Sequence, residues 1–332
     1  MNKKILITGG AGFIGGFLAS ALAKGDAEIH LIDNFSRGQP DQFWKQLISH
    51  KNTTVLQRDL CQVGTTDNLD DDYDLIFHFA ALLGVANVIA RPYQTLTDNV
   101  TLLAETIRLA KRQKKLDRFV FASTSEVYAG ALLYLDLPIP TPEDVALALP
   151  DLGQPRSSYM LSKLYGEAMV QQSGLPYTIV RPHNIYGPRM GMLHVVPQLL
   201  EKIHKAPAHS SIEVQSPTHR RSFCFVDDAV AMLIACALEP ACEAQILNLG
   251  NQAPEVSMRE LAQMTIDIVG KDIGILEGAV APGSPARRAP MTEKMTRLTG
   301  VTAKISLNEG LCHTYEWYQS HIFSGMEREQ AR

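Results

Sequence analysis

Short apolar runs alternate with amphipathic stretches through the first half of the chain. Ile5-Leu6-Ile7 is a continuous apolar run of strand length, residues Phe13 to Lys24 have helical spacing, and Glu28 to Ile32 form a second strand-like run ending on Asp33. Thr54–Leu56, Leu75–Phe79, Phe119–Ala122 and Tyr177–Val180 continue the series. Strands alternating with helices predict a parallel sheet covered by helices on both faces. A helix from about Asn99 to Lys111 carries Leu102, Leu103, Thr106, Ile107 and Ala110 on one stripe, and a second from about Ser158 to Gln171 carries Leu161, Leu164, Tyr165 and Ala168. The segment Ala129 to Pro155, with Pro138, Pro140 and Pro142, breaks the pattern and is expected to be an irregular excursion over the sheet edge. After Arg181 the elements shorten: a helix around Val195–Ile203, strands near Ile212–Val214 and Phe223–Phe225, and a helix whose start, Ser257-Met-Arg-Glu260, is a capping box. The expected organisation is a doubly wound parallel α/β domain over residues 1–181 and a smaller α/β lobe over 182–332, interleaved with it and closing one side of a crevice.

Composition narrows the partners. The 332 residues are 45% hydrophobic and 20% charged, which suits a globular protein with a sizeable core. A net charge of −4 gives no electrostatic reason to expect nucleic acid or an anionic membrane. Strand residues begin almost at Met1 and no apolar run approaches a membrane span, so a cytoplasmic location is expected. Cys61, Cys224, Cys236, Cys242 and Cys312 are scattered without a C-x-x-C pair, which favours free thiols over zinc, and no metal constellation is visible. The runs Asp70-Asp71-Asp72 and Lys111-Arg112-Gln113-Lys114-Lys115 are expected to be solvated.

The chemistry begins where the first strand empties into Gly9-Gly10-Ala11-Gly12-Phe13-Ile14-Gly15. Such glycines let a backbone turn tightly against a pyrophosphate, whose charge then sits on the free N–H groups of the following helix. An acid at the end of the second strand, Asp33, suits both adenosine ribose hydroxyls and repels a 2′-phosphate, so the expected cofactor is NAD rather than NADP. These features make the first domain Rossmann-type. Tyr159 and Lys163, four residues apart, share one face of a helix. There a lysine cation, helped by a positive nicotinamide ring, is expected to draw the phenol pKa down toward neutrality and make Tyr159 a usable base. The hydroxyls of Ala122-Ser123-Thr124-Ser125 follow a strand, at the carboxyl edge where open α/β folds bind ligands.

Several motifs together resemble the extended short-chain dehydrogenase/reductase superfamily, specifically the NAD-dependent nucleotide-sugar epimerase/dehydratase family, over nearly the whole chain. They are the Gly9–Gly15 run, Asp33-Asn34-Phe35-Ser36-Arg37-Gly38, Arg58-Asp59-Leu60, His78-Phe79-Ala80-Ala81, Asn99, Thr124-Ser125-Glu126-Val127-Tyr128, the Tyr159/Lys163 pair, Arg181-Pro182-His183-Asn184-Ile185-Tyr186-Gly187-Pro188-Arg189, and Arg221-Ser222-Phe223-Cys224-Phe225-Val226-Asp227-Asp228. The resemblance implies a cofactor site made by Gly9, Gly12, Phe13, Ile14, Gly15, Asp33, Asn34, Asp59, Leu60, Phe79, Ala80, Ala81, Asn99, Tyr159 and Lys163. It implies that Thr124 orients the sugar hydroxyl being oxidised, that Tyr159 takes its proton, and that Lys163 also holds the nicotinamide ribose. Asn184, Arg221 and Arg288 match positions that bind the nucleotide diphosphate of the substrate. His183 and His194 lie near the expected sugar pocket and read as hydrogen-bonded structural histidines.

Oxidation at C4 of a nucleotide-diphosphate sugar gives a 4-keto intermediate with three fates. Re-reduction on the other face makes a 4-epimerase, loss of carbon dioxide from a uronic acid makes a UDP-glucuronate-type decarboxylase, and removal of the C5 proton makes a 4,6-dehydratase. Glu126 keeps the last two open as a fourth catalytic candidate. The epimerase is the leading expectation, with an NAD-sensing protein without catalysis as the contrasting class. Relatives commonly form homodimers, which predicts that the helices near 99–111 and 158–171 pair with their symmetry mates as a four-helix bundle.

Overall fold

The computed structural model describes residues 3–38, 40–281 and 284–325. Seven parallel strands form the central sheet: β1 (Lys4–Thr8), β2 (Glu28–Asp33), β3 (Thr53–Gln57), β4 (Leu75–His78), β5 (Arg118–Ala122), β6 (Tyr177–Pro182) and, after the shorter β7 (Ile185–Tyr186), β8 (Ser211–Val214), β9 (Arg220–Ser222) and β10 (Cys224–Phe225), the last member β11 (Gln245–Leu249). Their order is β11-β6-β5-β4-β1-β2-β3. The chain therefore starts at the centre, winds outward through β2 and β3, then returns to β4 and winds the other way. The order reverses between β1 and β4, and the crevice for a ligand opens at their carboxyl ends. This is the expected doubly wound α/β fold, and the sheet draws on both halves of the chain because β11 pairs with β6.

Helices α1 (Phe13–Ala23), α2 (Gln42–Ile48), α3 (Val85–Ala90), α4 (Pro92–Ala110), α5 (Ala129–Tyr134) and α6 (Ser157–Gln171) connect the first strands. The sheet is buried on both faces. One face packs Ile5, Ile7, Ile29, Leu31 and Phe77 against α1 and the C-terminal elements, while the other packs Leu6, Ile76, Phe119 and Phe121 against Leu102, Leu103 and Ile107 of α4. Helix α4 begins two turns before the apolar stripe at Asn99, because Pro92 is compatible with a first helical position. The proline-rich excursion also differs from expectation. It follows a 3₁₀ turn, Ser125–Tyr128, and begins as the helix α5 before becoming irregular from Leu135.

The C-terminal elements are α7 (Val195–Lys205), α8 (Val226–Leu238), α9 (Met258–Val269), α10 (Glu293–Thr299) and α11 (Leu307–Tyr318), with the small strands β12 (Glu255–Ser257), β13 (Gly274–Glu277) and β14 (Arg287–Arg288). Ser257 caps α9 reciprocally with Glu260, as its sequence foretells. The expected strand at Phe223–Phe225 is broken at Phe223, so that Arg220–Ser222 belongs to one sheet and Cys224–Phe225 to another. In the first of these, β9 lies between β12 and β14 and puts Arg221 in register with Arg288.

The charge runs are paired rather than merely solvated. Lys4 Nζ lies 2.8 Å from Asp70 and 2.9 Å from Asp72, and Lys114 and Lys115 reach Asp71 and Asp74 at 3.0 and 3.2 Å. Glu28, His30 and Asp70 bring possible metal-ligand atoms within 4.8 Å of one another, but Lys4 already supplies a cation there. All five cysteines are free, and no helix among the described residues is long and apolar enough to cross a membrane.

Candidate active site

The glycine turn after β1 is shaped by contacts that exclude a side chain. Gly9 has φ +73° and a Cβ there would lie 2.8 Å from the Ala80 amide nitrogen; at Gly15 it would lie 2.3 Å from the Gly9 carbonyl oxygen. Helix α1, opened by Phe13 and Ile14, has no side-chain cap and no acid in its first turn, which leaves its positive end to an anion. The Asp33 carboxylate accepts from the amides of Ala11 at 3.0 Å and Phe35 at 2.8 Å, tying the glycine turn to the loop after β2. A carboxylate has about four acceptor sites, so two remain for a ribose. Asn34 accepts from the Ser36 amide, and Asp59 from that of Cys61, beside the buried Leu60. Phe79, Ala80 and Ala81 follow β4 across the crevice, with the Ala80 amide donating to Thr8 Oγ1 at 3.3 Å. Cradle, helix end and acid together fit the dinucleotide expected from the sequence. Asn99 does other work: its amide accepts from the Leu82 N–H and donates to the Leu82 carbonyl and Ser162 Oγ, bracing this loop against α6.

The next three residues meet at the end of β5. Thr124 caps the 3₁₀ turn, its Oγ1 accepting from the Glu126 amide at 3.2 Å, and its hydroxyl favours the ionised form of the Tyr159 phenol. Lys163 donates from Nζ to the Ala122 carbonyl at 2.8 Å and lies 6.0 Å from the centre of the Tyr159 ring. Burial pulls its pKa down to about 7, against the opposing charge of Glu167. The Tyr159 phenol departs from expectation. Burial and the Glu126 carboxylate push it up to about 12, against the Thr124 hydrogen bond and the Arg37 cation. Desolvation of a phenolate outweighs these aids, so Lys163 alone does not make the tyrosine a base.

On the opposite wall, Arg288 Nη1 donates to Glu126 at 2.6 Å and Arg156 Nη2 reaches the same carboxylate at 3.4 Å. Burial works against the charge, yet the two guanidiniums hold Glu126 down at about 2. Arg288 Nη2 donates to Asn184 Oδ1 at 3.3 Å, and Asn184, with φ +41°, donates in turn to the Ser222 carbonyl. The structure thus brings Thr124, Glu126, Tyr159, Asn184 and Arg288 together. Arg221 stands beside them but is turned inward: its guanidinium donates to the carbonyls of Arg220, Pro285 and Ala286 and to Ser284 Oγ, holding the strand that carries Arg288. Sequence reasoning gave Arg37 and Arg156 no role of their own. The second could have been found from its position three residues before Tyr159.

His183 is buried, and its protonation can be deduced. Arg181 donates to Tyr128 Oη at 2.7 Å, so that hydroxyl donates onward to Asn248 Oδ1. The Asn248 amide nitrogen is committed to the carbonyls of Thr141 and Met291. His183 Nε2, 3.1 Å from Asn248 Oδ1, therefore carries the proton, and Nδ1 is a bare acceptor without a partner. Burial, with Arg288 next, pushes the imidazole down to about 3. Burial also lowers His194, with Arg37 adding to the effect.

A glycine cradle, an acid at the end of β2 and the Thr124, Tyr159 and Lys163 side chains lie at one crevice, an arrangement that fits a dinucleotide-dependent enzyme. The chain belongs to the NAD dependent epimerase/dehydratase family, whose sequence profile matches residues 5–250, and it is an enzyme of that family. It is 28% identical over 331 residues to the UDP-N-acetyl-alpha-D-glucosaminuronate decarboxylase of Bacillus cytotoxicus, covering 96% of this chain and 98% of that protein. It is 31% identical over 318 residues to UDP-glucuronic acid decarboxylase 5 of Arabidopsis thaliana, covering 93% and 87%. Among solved structures it resembles the UDP-glucuronic acid 4-epimerase of Bacillus cereus in complex with UDP-glucuronic acid and NAD, with a TM-score of 0.79 and 25% identity over 96% of this chain and 99% of that one.

The neutral His183 links the site to acid stability. Unfolded, it takes up a proton below about 6.5; folded, only near about 3. Between these values the unfolded state binds more protons, so stability present above the upper value is lost as pH falls. Glu126 adds loss of the same sign between about 4.5 and about 2. Urea unfolding between pH 6.5 and 4.5 should show a shallower fall in His183→Gln than in the natural chain, by up to about 1.4 kcal/mol per pH unit. Equal slopes would contradict the assignment.

Proposed function

We propose that this enzyme uses NAD to oxidise C4 of a nucleotide-linked uronic acid, and that the resulting β-keto acid loses carbon dioxide. The observation that carries this reading is the Glu126 cluster. One carboxylate facing Arg156 and Arg288 leaves net positive charge beside Tyr159, which suits an anionic sugar better than a neutral hexose. The same cluster disfavours dehydration. That fate needs a side chain to take the C5 proton, and a carboxylate held near pKa 2 is a poor base at neutral pH. Decarboxylation needs none: the C5–C6 bond breaks, its electron pair moves toward the C4 ketone, a proton is taken up at C5, and the hydride would return to C4 together with the proton held by Tyr159 to give the pentose. Naming of the sequence relatives as uronate decarboxylases supports this choice.

NAD, held by the glycine cradle and Asp33, would supply the hydride acceptor for C4. Thr124 orients the C4 hydroxyl, and Tyr159 receives its proton once the positive charge of the nicotinamide ring, added to that of Lys163, brings the phenol to its ionised form. The glycine cradle and Asp33 hold the dinucleotide, while Asn184 and Arg288 face the substrate. Epimerisation at C4 is the second reading. It is favoured by the likeness to a UDP-glucuronic acid 4-epimerase, which acts on an anionic sugar of the kind this cluster would accept.

Incubation with UDP-glucuronic acid, UDP-N-acetylglucosaminuronic acid, UDP-glucose and UDP-galactose, followed by proton NMR, should show a pentose product and carbon dioxide from a uronate. Inverted C4 stereochemistry with all carbons retained would replace the first reading by the second. With whichever sugar reacts, Tyr159→Phe should lower turnover at least about 10²-fold while NAD still binds, and Thr124→Val should cost less. Near-normal turnover in Tyr159→Phe would refute the mechanism. We also propose a homodimer through α4 and α6, whose outer faces expose Tyr93 and Tyr165. Sedimentation as a dimer at micromolar concentration is expected, and a monomer there would exclude it.

A further inference from the structure

Glu167 follows Lys163 in α6 by four residues, as Lys163 follows Tyr159, so the three project along one side of the helix. It is 3% exposed. Oε1 accepts from Ser123 Oγ at 2.5 Å and from Arg181 Nε at 2.9 Å, and Oε2 accepts from Arg181 Nη2 at 2.8 Å. Arg181 also donates to Tyr128 Oη and to the Glu143 carbonyl, which fixes the guanidinium from its other edge. Ser123 lies between two residues that bear on the pair formed by Tyr159 and Lys163. The Ala122 carbonyl receives the Lys163 ammonium at 2.8 Å, and the Thr124 hydroxyl favours the ionised form of the Tyr159 phenol.

We propose that Glu167 is a positioning residue for C4 oxidation, fixing the Ala122–Thr124 edge through Ser123 and presenting a negative charge to Lys163. The proposal rests on the reading that Tyr159 and Lys163 act as a pair. Few other charges bear on the ammonium. From α6 it faces Tyr159 and Glu167, and from β4 the buried and neutral His78; Arg181 of β6 is paired with Glu167, and Arg37 acts on Tyr159 from the loop after β2. Burial alone draws Lys163 toward its neutral form, and Glu167 is the acid that resists this. A buried pair serving only the core would weaken the fold when broken but would leave the titration of Lys163 where it was.

The test uses NAD-loaded protein labelled with ¹³C in lysine, with the Lys163 signal assigned by its loss in Lys163→Met. In Glu167→Gln the titration midpoint of Lys163 should fall by at least about one pH unit, a tenfold change in proton affinity, because the carboxylate is gone and Arg181 is left unneutralised. In Glu167→Asp, which keeps the charge, the midpoint should stay close to that of the natural chain. Ser123→Ala keeps the ion pair and should leave the midpoint in place, while turnover of UDP-glucuronic acid as probe, followed by proton NMR, slows about tenfold in kcat at nearly constant KM, a loss of one hydrogen bond to a charged group. An unmoved midpoint in Glu167→Gln, or unchanged kcat in Ser123→Ala, overturns the proposal. The serine variant decides should the glutamine variant not fold. If the natural chain turns over no sugar while the Lys163 midpoint shifts as expected, the functional reading fails and the electrostatic role of Glu167 stands.

Discussion

Charges buried beneath the carboxyl edge of a parallel sheet must be matched by partners, and the Glu167–Arg181 pair is where this chain meets that demand. Both groups are almost fully enclosed, and each oxygen and most donors are engaged by geometry that leaves little choice. Such a pair gives little net stability, because desolvation cancels much of the attraction. Its value lies in uniqueness: only one placement of α6 against β5 and β6 satisfies Ser123, Arg181 and Tyr128 together. The reacting groups inherit that placement, since Tyr159 and Lys163 stand on the same helix and Thr124 on the same strand edge.

Burial then sets the character of the site more than proximity does. It raises Tyr159 and lowers Lys163, so both groups are driven toward their neutral forms. Spacing four residues apart suggests that a lysine will ionise its tyrosine, but that expectation counts attraction and omits desolvation. Glu126 shows the opposite balance. It is enclosed too, yet two guanidiniums overcome the penalty and keep it ionised. Three titratable groups in one pocket thus differ because only the carboxylate is hydrogen-bonded by two groups of opposite charge.

The fold was legible in the sequence wherever a local rule applied. Apolar runs of strand length marked β1 to β6, the glycine turn marked the entry of α1, and Ser257 with Glu260 marked the start of α9. What escaped was set by distant partners. β11 is an ordinary short apolar stretch until it meets β6, and α5 begins in a segment whose prolines announce only irregularity. Within the candidate site, Tyr159, Lys163 and Thr124 could be placed from spacing and strand position. The ion pair between Glu126 and Arg288 spans 162 residues, and no local pattern encodes it. Arg221 was legible as an arginine near the site but not as one directed into backbone carbonyls, which depends on β9 running beside β14.

That long-range pairing bears directly on chemistry. A glutamate beside Val-Tyr is compatible with several fates of a keto sugar as long as its proton affinity is unknown. Once Arg156 and Arg288 close on it, the carboxylate can no longer serve readily as a base, whereas the surplus positive charge remains available to an anionic substrate. The same residue type in the same motif would support proton abstraction if those arginines were withdrawn. Under the proposed mechanism, discrimination among reactions lies less in Thr124, Tyr159 and Lys163, which would only open the pathway by oxidation, than in what neutralises the acid across from them. Here that neutralisation is supplied by Arg156, which stands at the start of the helix carrying Tyr159 and Lys163, and by Arg288 of β14, which the C-terminal part of the chain brings to the same carboxylate.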